Sequence, residues 1–192
     1  LVGQTFGGNA FEPSEGKQIE AGIKFDGRNM GDDFRIFATG AIYRIRQSNV
    51  LTQDTVNPGF SVQTGEVTSK GLELEVVARI RQQLSINASY TYLDAKVSES
   101  NNSAEVGARL AAQPRHKASL FVDYTHGSGA GGGIGVRHLS RSNGVVALPG
   151  ATVTTPSGIV IPATFTSPAV TLFDATLHYD LPGWRFAVNG SN

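Results

Sequence analysis

Apolar and polar residues alternate along much of this chain. Across the nine residues 72–80, the even positions Leu72, Leu74, Val76, Ala78 and Ile80 are apolar, with Glu73, Glu75, Val77 and Arg79 between them. Across residues 84–92, Leu84, Ile86, Ala88, Tyr90 and Tyr92 alternate with Ser85, Asn87, Ser89 and Thr91. Successive side chains of an extended strand point to opposite faces, so this pattern predicts strands with one apolar face and one polar face. Weaker copies run through residues 19–25, 118–124, 173–179 and 184–188. Residues 34–46 are strand-like but apolar on both sides, which leaves their register open, and 133–141 carries the faintest pattern. The sum is eight candidate strands, and no segment shows a helical period.

The connections alternate in length. Residues 26–33, 81–83, 125–132 and 180–183 are short, whereas 47–70, 94–115 and 142–168 are long. Antiparallel strands joined in this way place every short turn at one end and every long loop at the other. Greek-key sandwiches mix lengths at both ends. Outer-membrane barrels keep short periplasmic turns and longer extracellular loops. Phe25, Phe34, Tyr124, Tyr179 and Trp184 all lie beside short connections, as an interfacial aromatic girdle requires. Tyr43, Tyr90 and Tyr92 lie toward the long loops and are the candidates for a second girdle. In the longest loop, Val145, Val146, Val153, Ile159, Val160 and Ile161 suggest a hairpin that extends the sheet.

Composition narrows the class further. Lys plus Arg number 16 and Asp plus Glu 16, so no basic excess is available to neutralise nucleic-acid phosphates. There is no cysteine, which excludes disulfides and thiolate metal sites but not export. No apolar run reaches the roughly 18 residues of a membrane helix. The chain does not begin with Met and shows no signal peptide, so it is expected to be a segment of a longer protein. The four histidines, His116, His126, His138 and His178, lack metal-ligand spacing. Asp174 and His178 share a strand face but stand roughly 13 Å apart along it. No nucleophile elbow or P-loop is present, so no enzyme activity is expected. The run Gly127-Ser128-Gly129-Ala130-Gly131-Gly132-Gly133 is expected to be a flexible turn.

Several stretches then resemble a known family in order. Phe11-Glu12-Pro13-Ser14-Glu15-Gly16-Lys17-Gln18-Ile19-Glu20-Ala21-Gly22-Ile23-Lys24 resembles the P-E-x-G-K-x-x-E-x-G-x-K stretch of TonB-dependent outer-membrane receptors. Gln63-Thr64-Gly65-Glu66-Val67-Thr68-Ser69-Lys70-Gly71-Leu72-Glu73-Leu74-Glu75 resembles their G-E-V-x-S-x-G-x-E-x-E stretch. Ala41 to Thr52 is similar to the family's strand between these two. Ser89-Tyr90-Thr91-Tyr92-Leu93-Asp94-Ala95 resembles S-Y-T-Y-x-D-A, and Pro114-Arg115-His116-Lys117-Ala118 and Leu172-Phe173-Asp174-Ala175 follow in the family's order. The wording is most similar to ferric-siderophore receptors of the ferrichrome type.

The resemblance implies an all-β, antiparallel transmembrane barrel of about 22 strands around a plug. Residues 1–192 would form about eight strands of its C-terminal part, without the plug, the TonB-contacting segment or the final strand. A curved, open meander sheet is therefore expected. The implied partners are a ferric siderophore, the TonB complex through the plug, and outer-membrane lipid. No cofactor is implied, because a siderophore brings its own iron ligands. In this reading the apolar faces meet lipid, while Glu73, Glu75, Arg79, Asn87, Ser89 and Thr91 face a wet lumen and are candidates to hydrogen-bond the plug. A charge turned to lipid near the midplane would cost about 2–4 kcal/mol. Residues 57–63 and 142–168 would be placed for ligand capture. The rivals are another cargo (haem, a vitamin or a glycan) and a secreted β-sandwich binding module.

Overall fold

The computed structural model describes residues 5–27, 33–57, 59–144, 152–163 and 165–192. Its strands are β1 (Glu15–Asp26), β2 (Phe34–Gln53), β3 (Ser61–Ile80), β4 (Leu84–Glu99), β5 (His116–Thr125), β6 (Ala130–Leu139), β7 (Ser142–Asn143), β8 (Thr152–Thr154), β9 (Val160–Pro162), β10 (Thr166–Ser167), β11 (Val170–Leu181) and β12 (Trp184–Ser191). Eight of them form one antiparallel meander in the order β1-β2-β3-β4-β5-β6-β11-β12. β1 and β12 each have a single neighbour, so the sheet is open.

The ladder settles the register that the sequence of β2 leaves open. Arg35 is opposite Arg79, Phe37 opposite Val77 and Thr39 opposite Glu75. Phe34, Ile36, Ala38 and Ile42 therefore share the face of Ile80, Ala78, Val76 and Leu72. Continued across the sheet, that face carries Ile23, Leu74, Ile86, Leu120, Ile134, Phe173, Leu177 and Val188. It has no covering layer: Ile23 is 81% exposed and Leu177 72%. Among the described residues the only buried hydrophobic side chains are Ala78, Ala95, Val97 and Ala108. A sheet one layer thick with its apolar side uncovered is built for a solvent other than water.

Phe25, Phe34, Tyr124, Tyr179 and Trp184 all fall on the apolar face beside the short connections. Tyr90 and Tyr92 lie on the same face toward the long loops, and the Tyr90 hydroxyl pairs with His116 Nδ1 at 2.8 Å. Tyr43 does not join them. It stands opposite Gly71 on the polar face, where its ring occupies the space a Cβ on Gly71 would need.

The first two long connections are shorter than the sequence pattern suggests, because the strands outrun it. β2 and β3 each have 20 residues and β4 has 16, against roughly 9–11 needed to span a bilayer. The first long loop shrinks to the link between Gln53 and Ser61. β2 reaches it through register shifts at Gln47/Val50 and Val50/Thr52, with Asn49 at φ 57°. The second doubles back along β4, bonding Val97 N–H to Ala108 O at 2.9 Å and pairing Lys96 with Arg109. In the third, β8 and β9 form the expected hairpin, with Val153 opposite Ile161. It is a separate two-stranded sheet and does not extend the main one, because the β7–β10 pair intervenes. Val145 and Val146 lie outside the described residues.

The glycine run is also divided differently. Only residues 126–129 form the turn, with Gly129 at φ 92°. Gly131, Gly132 and Gly133 are in β6, which begins at Ala130 and ends at Leu139, two residues earlier than the alternation suggests.

Candidate functional site on the polar face

Strand pairing aligns the polar-face residues in rows. One row reads Thr39, Glu75, Ser89, Ser119 and Arg137. A second reads Ala41, Glu73, Thr91 and Lys117. A third, toward the short turns, reads Phe37, Val77, Asn87 and Phe121, and the last reads Arg35, Arg79, Ser85 and Asp123. Glu73, Glu75, Arg79, Asn87, Ser89 and Thr91 thus share one face across β3 and β4. Among them, Ser89 bonds the Ser119 hydroxyl at 2.8 Å. Glu73, Glu75 and Arg79 stand exposed, without an ion-pair partner among the described residues.

On β5, β6 and β11 the charges close on one another. Arg137 donates from Nε and Nη2 to both oxygens of Asp174, each at 2.8 Å. Arg185 grips Asp180 in the same two-point manner, at 2.5 and 2.7 Å. His178 lies between two carboxylates, with Nε2 at 3.2 Å from Asp123 and Nδ1 at 3.8 Å from Asp180. Its side chain is only 2% exposed. The glycines of β6 make this possible: a Cβ on Gly131 would overlap the His178 ring, and one on Gly133 would lie 2.8 Å from both Asp123 and Phe121. Asp174 and His178, noticed in the sequence for sharing a face, therefore serve separate pairs. The sequence reading missed Asp123, Arg137 and Arg185; the only signal for them was charge at polar positions of alternating strands.

Between the arginines of β2–β3 and the acids of β5 and β11 lies a concavity of about 970 Å³, lined by Arg35, Arg79, Ser85, Asn87, Asp123 and His178 among others. No group of side chains suited to hold a metal ion occurs among the described residues.

At the other end, charge also appears on the outer, apolar-side surface, beyond the hydrophobic band. Asp94 meets Lys96 at 3.0 Å, Arg115 at 3.4 Å and Arg109 at 3.6 Å, and Arg46 meets Glu66 at 3.0 Å. In the turn after β2, the Asp54 carboxylate accepts from Val56 N–H at 2.8 Å and from the backbone and side chain of Asn57 at 3.0 Å each. Those hydrogen bonds, the Asn57 side chain first, hold its carboxyl below the usual aspartate range. Of the expected ligand-capture segment 57–63, Gln63 is committed internally, exchanging hydrogen bonds of 2.7 and 2.6 Å with the Glu12 backbone.

Comparison with known proteins agrees with this architecture. The family model described as "TonB dependent receptor-like, beta-barrel" matches residues 2–192. The ferrichrome outer membrane transporter/phage receptor of Escherichia coli (strain K12) is 34% identical over 186 residues, covering 96% of this chain and 22% of that protein. The ferrioxamine B receptor of Salmonella typhimurium (strain SL1344) is 34% identical over 175 residues, covering 91% of this chain and 22% of that protein. The chain thus spans about a fifth of the length of these curated relatives. Among solved structures, the ferripyoverdine receptor of the outer membrane of Pseudomonas aeruginosa, bound to ferripyoverdine, superimposes with a TM-score of 0.73 at 20% identity. That match covers 100% of this chain and 25% of the receptor, and it supports the fold. The exposed apolar face, the meander with short turns at one end, and the family match over nearly every residue make this chain a member of the TonB-dependent receptor β-barrel family of Gram-negative outer membranes.

Proposed function

We propose that the chain is the C-terminal part of the barrel of an active transporter that imports ferric siderophores, driven by TonB. In this reading β1 and β12 continue into further strands of the same barrel, since an open edge has unpaired backbone groups that lipid does not satisfy. The polar face lines the lumen, and Glu73, Glu75, Arg79, Asn87, Ser89 and Thr91 face the plug that fills it. The ferric siderophore is captured at the long-loop end, where β2, β3 and β4 rise past the membrane. TonB acts through the plug, so the strands described here need no energy-coupling site.

The observation that carries the proposal is the 34% identity to the ferrichrome transporter over 96% of the chain. The test is uptake of radiolabelled ferric siderophores by iron-starved cells whose only such receptor is the full-length protein, with and without functional TonB. TonB-dependent uptake of a hydroxamate siderophore is the expected result. Import of haem or a glycan alone would overturn the cargo assignment.

A further inference from the structure

The polar face leaves one charge arrangement unbalanced. Arg35 and Arg79 are directly opposite each other on β2 and β3, and like charges in that position destabilise a sheet. Guanidinium groups do not escape by deprotonation. Neither arginine has an ion pair or hydrogen bond among the described residues, and the acids across the concavity are already engaged: Asp123 with His178 and Asp180 with Arg185. Arg81, at φ 52° in the turn, adds a third cation to the same wall.

The row next to these arginines sets two apolar residues between Asp26 of β1 and Asn87 of β4. Phe37 and Val77 stand opposite each other on the polar face, and Val77 is 40% exposed. Lys24 Nζ stands 4.9 Å over the Phe37 ring, and a wall that met only water would gain nothing from an uncovered Val77 beside unpaired cations. Together they match a protein surface that presents carboxylates flanked by apolar residues. A small free anion would satisfy the arginines and leave Val77 uncovered.

We propose that Arg35 and Arg79 clamp an acidic, partly apolar segment of the plug against the barrel wall at the short-turn end of the lumen. The clamp rests on the plugged-barrel reading above. Because this end of the strands is open to water, the attraction is screened by salt.

The experiment uses the full-length receptor in planar lipid bilayers, with urea added to displace the plug and ion conductance reporting its release. Wild type, the Arg35→Gln/Arg79→Gln variant and the Arg35→Lys/Arg79→Lys variant are compared at low and high salt, about 0.05 M and about 0.5 M NaCl. Heat-modifiable migration on gels checks that each barrel is folded, and the Gln variant removes a repulsion within the wall. The clamp predicts that the Gln variant opens at a urea concentration lower by roughly 0.5–1 M. It also predicts that raising salt lowers the wild-type midpoint but leaves the Gln variant unmoved, and that the Lys variant stays nearer to wild type. A Gln variant with the wild-type midpoint and salt response would overturn the clamp while leaving the plug intact, as would a Lys variant indistinguishable from the Gln variant. A wild-type receptor that never conducts in urea, or conducts without it, would count against the plugged barrel itself and take the clamp with it.

Discussion

The β2–β3 ribbon and the β6–β11 ribbon handle polar-face charge in opposite ways. On β6–β11, Arg137 lies across the sheet to reach Asp174, and His178 folds down over Gly131 to reach Asp123. On β2–β3, Arg35, Glu73, Glu75 and Arg79 stand exposed without partners among the described residues. The difference lies in the neighbours. Gly131, Gly133 and Gly135 have no Cβ, so adjacent side chains lie flat over β6 and meet one another. The same rule operates once on β2–β3, where Tyr43 lies over Gly71. Elsewhere on that ribbon no opposite charge stands across the ladder: Glu73 faces Ala41, Glu75 faces Thr39, and Arg35 faces the like-charged Arg79. One ribbon pairs its arginines with acids, although the buried His178 Nδ1 has no hydrogen-bond partner; the other has charges without partners among the described residues.

The comparison requires that both ribbons turn the same face to lipid, and breaking that face gives the largest expected effect. Val76→Arg and Phe173→Arg, in the apolar row between the two sets of aromatics, should each lower folding stability in vesicles by about 2–4 kcal/mol. Val77→Arg, next to Val76 but on the polar face, should leave the barrel's own unfolding step within about 0.5 kcal/mol of wild type. Urea titration of the refolded full-length receptor reads all three. A Val77→Arg penalty on that step as large as that of Val76→Arg would reverse the face assignment of β3.

The glycine explanation is tested by filling one notch. Gly131→Val would press on the His178 ring and the Tyr124 carbonyl, with an overpacking cost of about 1–3 kcal/mol. Gly16→Val, at a position with no atom near the new Cβ, should change stability by less than about 0.5 kcal/mol. Equal effects would show that β6 does not depend on the absent side chains.

A smaller effect separates paired from unpaired charge. Asp174→Asn removes the partner of Arg137, which is half exposed at 51%, so the barrel should lose only about 0.2–1 kcal/mol. Glu75→Gln should leave the barrel's own unfolding step unchanged. If both substitutions destabilise that step equally, the two ribbons are not electrostatically different.

Much of this was legible in the sequence, and what was not has physical causes. The alternation at 72–80 and 84–92 revealed β3 and β4 and the faces of Glu73, Glu75, Asn87 and Thr91, because side-chain period alone assigns a face. It hid the length of β2 and β3, whose upper halves leave the apolar band and lose their alternation: Arg44, Arg46, Thr68 and Lys70 lie on the apolar-side face but are polar. Tyr43 was misplaced because an aromatic near a long loop reads as girdle, while its parity could be judged only after β2 had a register. The pairs Arg137–Asp174 and Asp123–His178 depend on which residues of different strands share a row, and no single strand carries that information. The glycines looked like turn residues because glycine serves close approach and positive φ alike; Gly129 does the second, Gly131 the first.

The turn after β2 shows a third way to satisfy a charge, and it supplies the smallest and most local prediction. Among the described residues Asp54 has neither a cationic partner nor a glycine to lie across; it accepts hydrogen bonds from Val56 and Asn57 within its own turn. Those bonds favour the charged form, so the carboxyl titrates below the ordinary value of 3.8. A group whose pKa is lowered by folding stabilises the ordered turn above its unfolded pKa, and the contribution disappears as pH falls through the folded pKa. Amide hydrogen exchange at Val56 and Asn57, with intrinsic rates corrected for pH, should therefore show protection that persists from neutral pH to about pH 4 and declines below it. Asp54→Asn keeps an acceptor oxygen but cannot titrate, so its protection should be weaker and independent of pH. Asp54→Ala should remove protection at every pH. Loss of wild-type protection already between pH 6 and 5 (roughly one to two units above the ordinary aspartate range) would mean that another group, and not Asp54, orders the turn.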